Sequence, residues 1–143
     1  MTIVNADAKS LEVFAGAYLS QDKIMMQELI NGLDMHENNR SAFDLPSRLI
    51  AKVFMFRLMY GGSAYSYAND PDFASVKGNE KYWQKVIDRF YDKYKGFANW
   101  HTTIVQEVTQ TGKLVMPTGR IYEYERNSRG DWPQTTIKNY PVN

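Results

Sequence analysis

Arg48-Leu49-Ile50-Ala51-Lys52-Val53-Phe54-Met55-Phe56-Arg57-Leu58-Met59-Tyr60-Gly61 is the stretch on which the reading of this chain turns. Pro46 suits the first turn of a helix, where its missing N–H would have no partner. No Gly or Pro follows until Gly61-Gly62, so a helix is predicted over about Ser47 to Tyr60. Arg48, Lys52, Phe56 and Tyr60 recur every four residues. That interval keeps neighbours on one face, with a drift of about 40° per step. Two cations thus stand near a helix start, where unpaired backbone N–H groups already favour anions. A fork-shaped guanidinium and a mobile ammonium can cradle a polyphosphate. The two rings beyond them offer flat surfaces to a sugar and a base. An ordinary amphipathic helix with a solvated basic end has the same spacing.

Upstream, Ile3-Val4 reads as a short buried strand that ends in the acid of Asn5-Ala6-Asp7. A carboxylate fixed there can hold Mg²⁺ through a hard oxygen ligand, although an acid at a helix start is also favoured by the helix dipole alone. Ser10 is a plausible N-cap, and Leu11, Phe14, Ala15, Tyr18 and Leu19 are expected to face inward. A second helix is expected through Ile24, Met25, Leu29 and Ile30, with Gly32 as its stop. Asp34 to Phe43 reads as a short polar helix.

Downstream, Asn69-Asp70-Pro71-Asp72 is a turn. One long amphipathic helix is expected over about Asn79 to Thr111, bent at Gly96. Its inward face holds Tyr82, Val86, Ile87, Phe90, Tyr94, Phe97 and Ile104. Leu114-Val115-Met116 and Ile121-Tyr122-Glu123-Tyr124 read as two strands around Pro117-Thr118-Gly119. Arg126 to Pro133 is loop-like. The fold class is therefore α+β, predominantly helical, with a small partial sheet.

The 143 residues suit a single domain, and at 43% hydrophobic and 14% aromatic they can bury a real core. No run of about 20 apolar residues is present, so no membrane contact is expected. The absence of cysteine excludes a disulfide framework and a thiolate metal site. With no targeting segment read in Met1 to Ser10, an intracellular protein is the natural expectation. A net charge of +1 gives no support by itself to nucleic-acid binding, which favours basic chains.

Asp7-Ala8-Lys9-Ser10-Leu11-Glu12 resembles the first catalytic motif of family A DNA polymerases, the DNA polymerase I family, written Asp-x-x-x-(Ile/Leu)-Glu. Ala17-Tyr18-Leu19-Ser20-Gln21-Asp22 resembles the Ala-x-Leu-Ser-x-Asp that follows it. The Arg48 to Gly61 stretch resembles the family's fingers helix, Arg-x-x-x-Lys-x-x-x-(Phe/Tyr)-x-x-x-Tyr-Gly, at all its defining positions. Asp34-Met35-His36 resembles the Asp-Ile-His element before that helix. Thr118-Gly119-Arg120 resembles the Gly-Arg turn, and Asn139-Tyr140-Pro141-Val142-Asn143 the Asn-x-Pro-x-Gln segment near primer and template. There are departures. Ala8 and Ser10 replace Tyr and Gln, as in phage replicative members. Phe14 replaces a common Arg, and Asn143 replaces Gln.

The resemblance implies roles. Asp7 would bind the catalytic Mg²⁺ ions. Glu12 would be the steric gate that occupies the space of a ribose 2′-OH. His36, Arg48 and Lys52 would grip the dNTP phosphates, and Lys52 would also act in catalysis by protonating pyrophosphate. Phe56 would stack on the nucleotide. Tyr60 and Gly61 would border the template, with Asn139 and Asn143 beside the DNA. Residues 1–33 would be palm, 34–113 fingers, and 114–143 the return toward the palm. His101 matches no motif and reads as structural.

The family's His-Asp motif, which supplies the second metal-binding carboxylate, does not occur in this sequence. Two-metal transfer needs ligands that fix both ions. The expected function is therefore dNTP binding and nucleotidyl transfer on a DNA primer-template, completed by a complementary polymerase fragment. Exposed strand edges are expected where the palm sheet would be cut. The alternatives are an inactive truncated relic or excised piece with weak nucleotide or DNA binding, and a helical interaction module.

Overall fold

Oxygen caps fix where the helices begin. A computed structural model of the chain describes residues 11–143; the expected strand at Ile3-Val4, the metal ligand Asp7 and the cap Ser10 lie outside them. The elements run α1 (Leu11–Ser20), α2 (Lys23–Ile30), α3 (Met35–Ala42), α4 (Arg48–Met59) and α5 (Ala64–Ala68). A 3₁₀ turn (Pro71–Val76) follows, then α6 (Glu80–Lys93), α7 (Lys95–Thr111), β1 (Lys113–Val115), β2 (Ile121–Glu123) and α8 (Gln134–Val142). Asp22, Asp34, Ser47, Ser63 and Asn79 each accept a hydrogen bond from the first turn of the helix that they precede. Pro46 thus stands one residue outside α4, before its cap Ser47, and not in the first turn as the sequence suggested. No helix of the described residues is long and apolar enough to cross a membrane.

The main core is aromatic. Phe43, Phe54, Tyr67, Phe73, Trp83, Phe90 and Phe97 are buried together, and Phe54 and Tyr67 each stack near Trp83. Such pairs add about 0.5–1.5 kcal/mol beyond the area that they bury. The Tyr67 hydroxyl donates to the Phe54 carbonyl at 2.8 Å, which fixes α5 beneath α4. Arg57 pairs with Asp70 and Asp72, and its guanidinium lies 5.4 Å from the Phe73 ring. A second cluster, Ile104, Val108, Leu114, Tyr124 and Ile137, seats the β-hairpin and α8 on the end of α7. The hairpin pairs Lys113 with Glu123, Leu114 with Tyr122 and Val115 with Ile121, antiparallel.

Three expectations are corrected. First, α1 buries Val13, Gly16 and Ala17, while Leu11, Phe14 and Tyr18 are 57%, 51% and 64% exposed. Gly16 packs against Met59 and Phe97, where a Cβ would overlap the Met59 side chain. Close approach of α1 to α4 and α7 needs small residues there, and that need outweighs the apolar stripe.

Second, the segment from Asn79 to Thr111 is two helices. Tyr94 leaves helical geometry at φ −108°, ψ 68°, two residues before Gly96. Phe97, in the first turn of α7, donates its N–H to Asp22 Oδ2 at 3.0 Å. Gly96 abuts the Asp22 backbone, and a Cβ there would come within 2.8 Å of Asp22 Cα. Asp22 is 2% exposed, and its other oxygen caps α2 at Met25 N–H, 2.9 Å away. One carboxylate therefore starts two helices. Third, residues Gln134–Val142 form a helix, not a strand edge, with Pro141 in its last turn.

Gly61 carries a φ of +87° and lies under α8, where a Cβ would sit 3.0 Å from the Thr135 carbonyl and 3.1 Å from its Cα. Both the left-handed backbone and the close backbone neighbour favour glycine. Gly61→Ala should destabilise the chain by about 1–3 kcal/mol. Urea unfolding checks this; a midpoint equal to wild type would show that α8 does not press on Gly61.

Candidate nucleotide-binding face

The α4 stripe emerges on the surface with its cations outward. Arg48 and Lys52 are exposed, Phe56 and Tyr60 half-buried, because the alternate face of α4 (Ile50, Ala51, Phe54, Met55, Leu58) is committed to the core. Arg48 is not free. Its Nε donates to Asp34 Oδ2 at 2.8 Å, across the gap between α4 and the start of α3. The hydrogen bond from Arg48 holds the Asp34 carboxyl below the usual carboxylate range, with a second bond from the Glu37 N–H. Lys52 makes no such pair among the described residues; its ammonium stands 5.8 Å from the Phe56 ring centre.

His36 is buried beside this face, its ring 6.0 Å from that of Phe56. Its Nδ1 has no hydrogen-bond partner among the described residues. Burial lowers its pKa, and Arg48 and Lys52 lower it further, while Asp34 opposes them. A neutral imidazole results near pH 7. Val13, Leu33, Asp34, Met35, His36 and Arg48 border a cleft of about 210 Å³ between α1, α3 and α4.

At the other end of the stripe, the Glu12 carboxylate stands near the Tyr60 hydroxyl, close enough for its charge to act on the phenol. Burial raises the phenol's pKa first, and the charge of Glu12 adds to it. Glu12 and Tyr60, from different helices, thus define one corner. The structure brings Glu12, His36, Arg48, Lys52, Phe56 and Tyr60 to one side of α4. Gly61 is buried under α8, so the contact with a DNA strand expected of it is not open in this structure. Asn139 is half-buried on α8, and Asn143 is exposed and borders a groove of about 430 Å³ with Tyr18, Pro117, Arg120 and Tyr122. Arg120, in the hairpin turn, lies 4.9 Å from the Tyr122 ring.

Sequence reasoning missed two partners. Asp34 was visible only as part of a motif, although an acid three residues before a helical acid is a cap signal and its free oxygen is what reaches Arg48. The nearness of Glu12 to Tyr60 joins positions far apart in the chain, and no spacing announces it. Among the described residues no three His, Asp or Glu side chains converge on one point. The described residues alone therefore do not make a Mg²⁺ site.

Two cations and two rings of the α4 stripe, with a neutral imidazole from α3 beside them, lie on an all but wholly helical scaffold. The model for DNA polymerase family A matches residues 1–138, and the chain belongs to that family. It is 28% identical over 134 residues to the DNA polymerase of Mycobacterium phage D29, covering 89% of this chain and 21% of that protein. It is 27% identical over 126 residues to DNA polymerase I of Treponema pallidum, covering 82% and 12%. Against DNA polymerase I of Aquifex aeolicus it is 25% identical over 150 residues, covering 99% and 25%. The fold matches the POL domain of Pol1 from M. smegmatis, solved in complex with DNA primer-template and dNTP. The TM-score is 0.74 at 19% identity, over 95% of this chain and 25% of that one. The chain thus spans a quarter or less of the length of these relatives.

Proposed function

We propose that this chain is the nucleotide-gripping part of a DNA-directed DNA polymerase active site. It binds dNTP with Mg²⁺, and performs template-directed nucleotidyl transfer once a complementary polypeptide supplies the His-Asp motif. In this reading residues 1–33 belong to the palm, 34–113 to the fingers, and 114–143 return toward the palm. The observation that carries the reading is the α4 face, with Lys52 unpaired among the described residues, Arg48 held over the cleft by Asp34, and Glu12 near the Tyr60 hydroxyl.

Each residue has a physical task. Lys52 meets the triphosphate as a point charge and can give a proton to the departing pyrophosphate. Arg48 meets it as a fork once it turns from Asp34. His36, neutral, can donate a hydrogen bond without adding charge. Phe56 supplies a plane for the sugar or base. Glu12, beside the Tyr60 hydroxyl, stands where a 2′-OH would need room. Asp7 is the proposed ligand of the metal, which would neutralise phosphate charge. The exposed Leu11, Phe14, Tyr18 and Ile30 favour completion by further polypeptide, since contiguous apolar surface marks an interaction site. The primer-template would run past Tyr60, Asn139 and Asn143.

Two results are expected from the completed enzyme in single-turnover incorporation. Lys52→Ala should slow transfer or weaken dNTP binding at least about tenfold, equally for the four bases, since each charge-assisted contact is worth roughly 1.5–3 kcal/mol. Wild-type rates would mean that the stripe is only a solvated helix face. Glu12→Ala should relax the preference for dNTP over rNTP; an unchanged ratio would remove Glu12 as the gate. The isolated chain should not extend a primer, and extension abolished by Asp7→Ala would overturn the need for a second polypeptide.

A further inference from the structure

The polar helix α3 carries a buried imidazole. Of its eight residues only Met35, His36 and Asn39 are buried, and Met35 alone of the three is a large apolar side chain. So narrow an apolar face leaves the rotation and height of a helix on its neighbours loosely specified. No hydrogen bond to Nδ1 orients the His36 ring among the described residues, so its place follows that of α3. Asn39 is 0% exposed, and both ends of its amide are engaged. Its Nδ2 donates to Met55 Sδ of α4 and to the Tyr94 hydroxyl at the α6–α7 break, each at 2.9 Å. Its Oδ1 accepts from Lys93 Nζ, at the end of α6, at 2.6 Å.

Burying such a cluster is a weak means of stabilising a fold, because the cost of desolvation offsets most of what the bonds contribute. What directional bonds do supply is one permitted arrangement, since a helix that turns or slides breaks them while an apolar contact tolerates the shift. The two protons of Nδ2 serve different neighbours. Tyr94, with Lys93 on the amide oxygen, ties α3 to the α6–α7 break. Met55 ties it to α4, and sulfur, a weak acceptor, gives this bond direction more than strength. His36 lies one turn before Asn39 in α3. In α4, Lys52 lies one turn before Met55, and Phe56 follows it. The Asn39–Met55 bond therefore depends on the same register that puts the His36 ring 6.0 Å from the Phe56 ring.

We propose that Asn39 is a positioning residue of the α4 face: through Met55 it fixes the imidazole of α3 against Lys52 and Phe56. The geometry stands without any ligand. Its consequence, a phosphate grip preset before the ligand arrives, rests on the function proposed above.

The test uses the 143-residue chain, with proton NMR for the His36–Phe56 ring contact and calorimetry with inorganic triphosphate as the probe. Met55→Leu keeps the volume and removes the acceptor. It should weaken the nuclear Overhauser effect between the two rings, move the His36 resonances and lower triphosphate affinity at least about threefold. Tyr94→Phe breaks the other Nδ2 bond and should leave the ring contact as in wild type. A wild-type contact in Met55→Leu would overturn the proposal. So would the same change in both variants, which would show a core loosened as a whole. Lys52→Ala judges the phosphate reading by itself: unchanged triphosphate affinity there would sink that reading and leave the ring contact to decide on Asn39. Impaired binding by Lys52→Ala beside wild-type affinity in Met55→Leu would overturn the role of Asn39 alone.

Discussion

Lys93→Met is expected to cost about 3 kcal/mol of folding stability, because it strands a buried carboxylate. Lys93 Nζ lies 2.9 Å from Glu28 Oε1 and donates to Asn39 Oδ1 at 2.6 Å. Glu28 accepts a second bond on Oε2 from the Tyr94 hydroxyl, at 2.9 Å. The Asn39 amide donates to that same hydroxyl at 2.9 Å. Glu28 and Asn39 are 8% and 0% exposed, and burial with the Glu28 charge drives the Tyr94 phenol far above its usual range. With the ammonium gone, the Glu28 charge keeps one hydroxyl donor and little water. The double variant Lys93→Met, Glu28→Leu should recover most of the loss, because Tyr94 can still donate to Asn39 Oδ1, 3.2 Å away. Urea unfolding of the three proteins tests this. Equal losses in single and double variants would mean that packing, and not the stranded charge, sets the cost.

A second large effect is acid instability centred on His101. Burial pushes this imidazole down to about 3, and the nearby Lys138 charge acts in the same direction; Tyr91, its hydrogen-bond partner, stays neutral. In the unfolded chain the ordinary value is 6.5. Between those values the unfolded state binds a proton that the folded state refuses. Stability is thus fully present above pH 6.5 and falls as the pH drops, by up to about 1.4 kcal/mol per unit. At pH 4.5 the loss should be roughly 2–3 kcal/mol. His36, also lowered by burial, adds to the same trend. His101→Phe keeps a ring without the titration, and should flatten the acid limb by about that amount. Unfolding free energies at pH 7.5 and 4.5 decide it. The same slope in both proteins would mean that other groups cause the acid loss.

The fold was largely legible in caps and stops. Ser47, Asp34 and Asn79 stand where short polar side chains should, and Gly32, Gly61 and Gly112 end elements as their left-handed φ values require. What failed had non-local causes. The inward face of α1 was misread because Gly16 and Ala17 bury themselves by proximity to Met59 and Phe97, which a local apolar stripe cannot reveal. The break at Tyr94 depends on Asp22, whose carboxylate takes the Phe97 N–H from 75 positions away along the chain. The last helix was hidden by Pro141, which forfeits one helical hydrogen bond and reads locally as a stop. The α4 stripe was legible because it lies within one helix and a four-residue period. Its Asp34 and Glu12 partners were not, since they come from other helices.

The carboxylate that starts both α2 and α7 ties the kinetics of distant segments together. The first turn of α7 is not complete until the whole loop between Asp22 and Phe97 has closed, whereas the cap on α2 closes locally, three residues away. The Phe97 N–H should then exchange with solvent deuterium whenever α7 leaves Asp22, while the locally capped Met25 N–H stays protected in that opening. The difference between the two amides therefore reads the parting of α7 from α2 apart from the fraying of α2 itself.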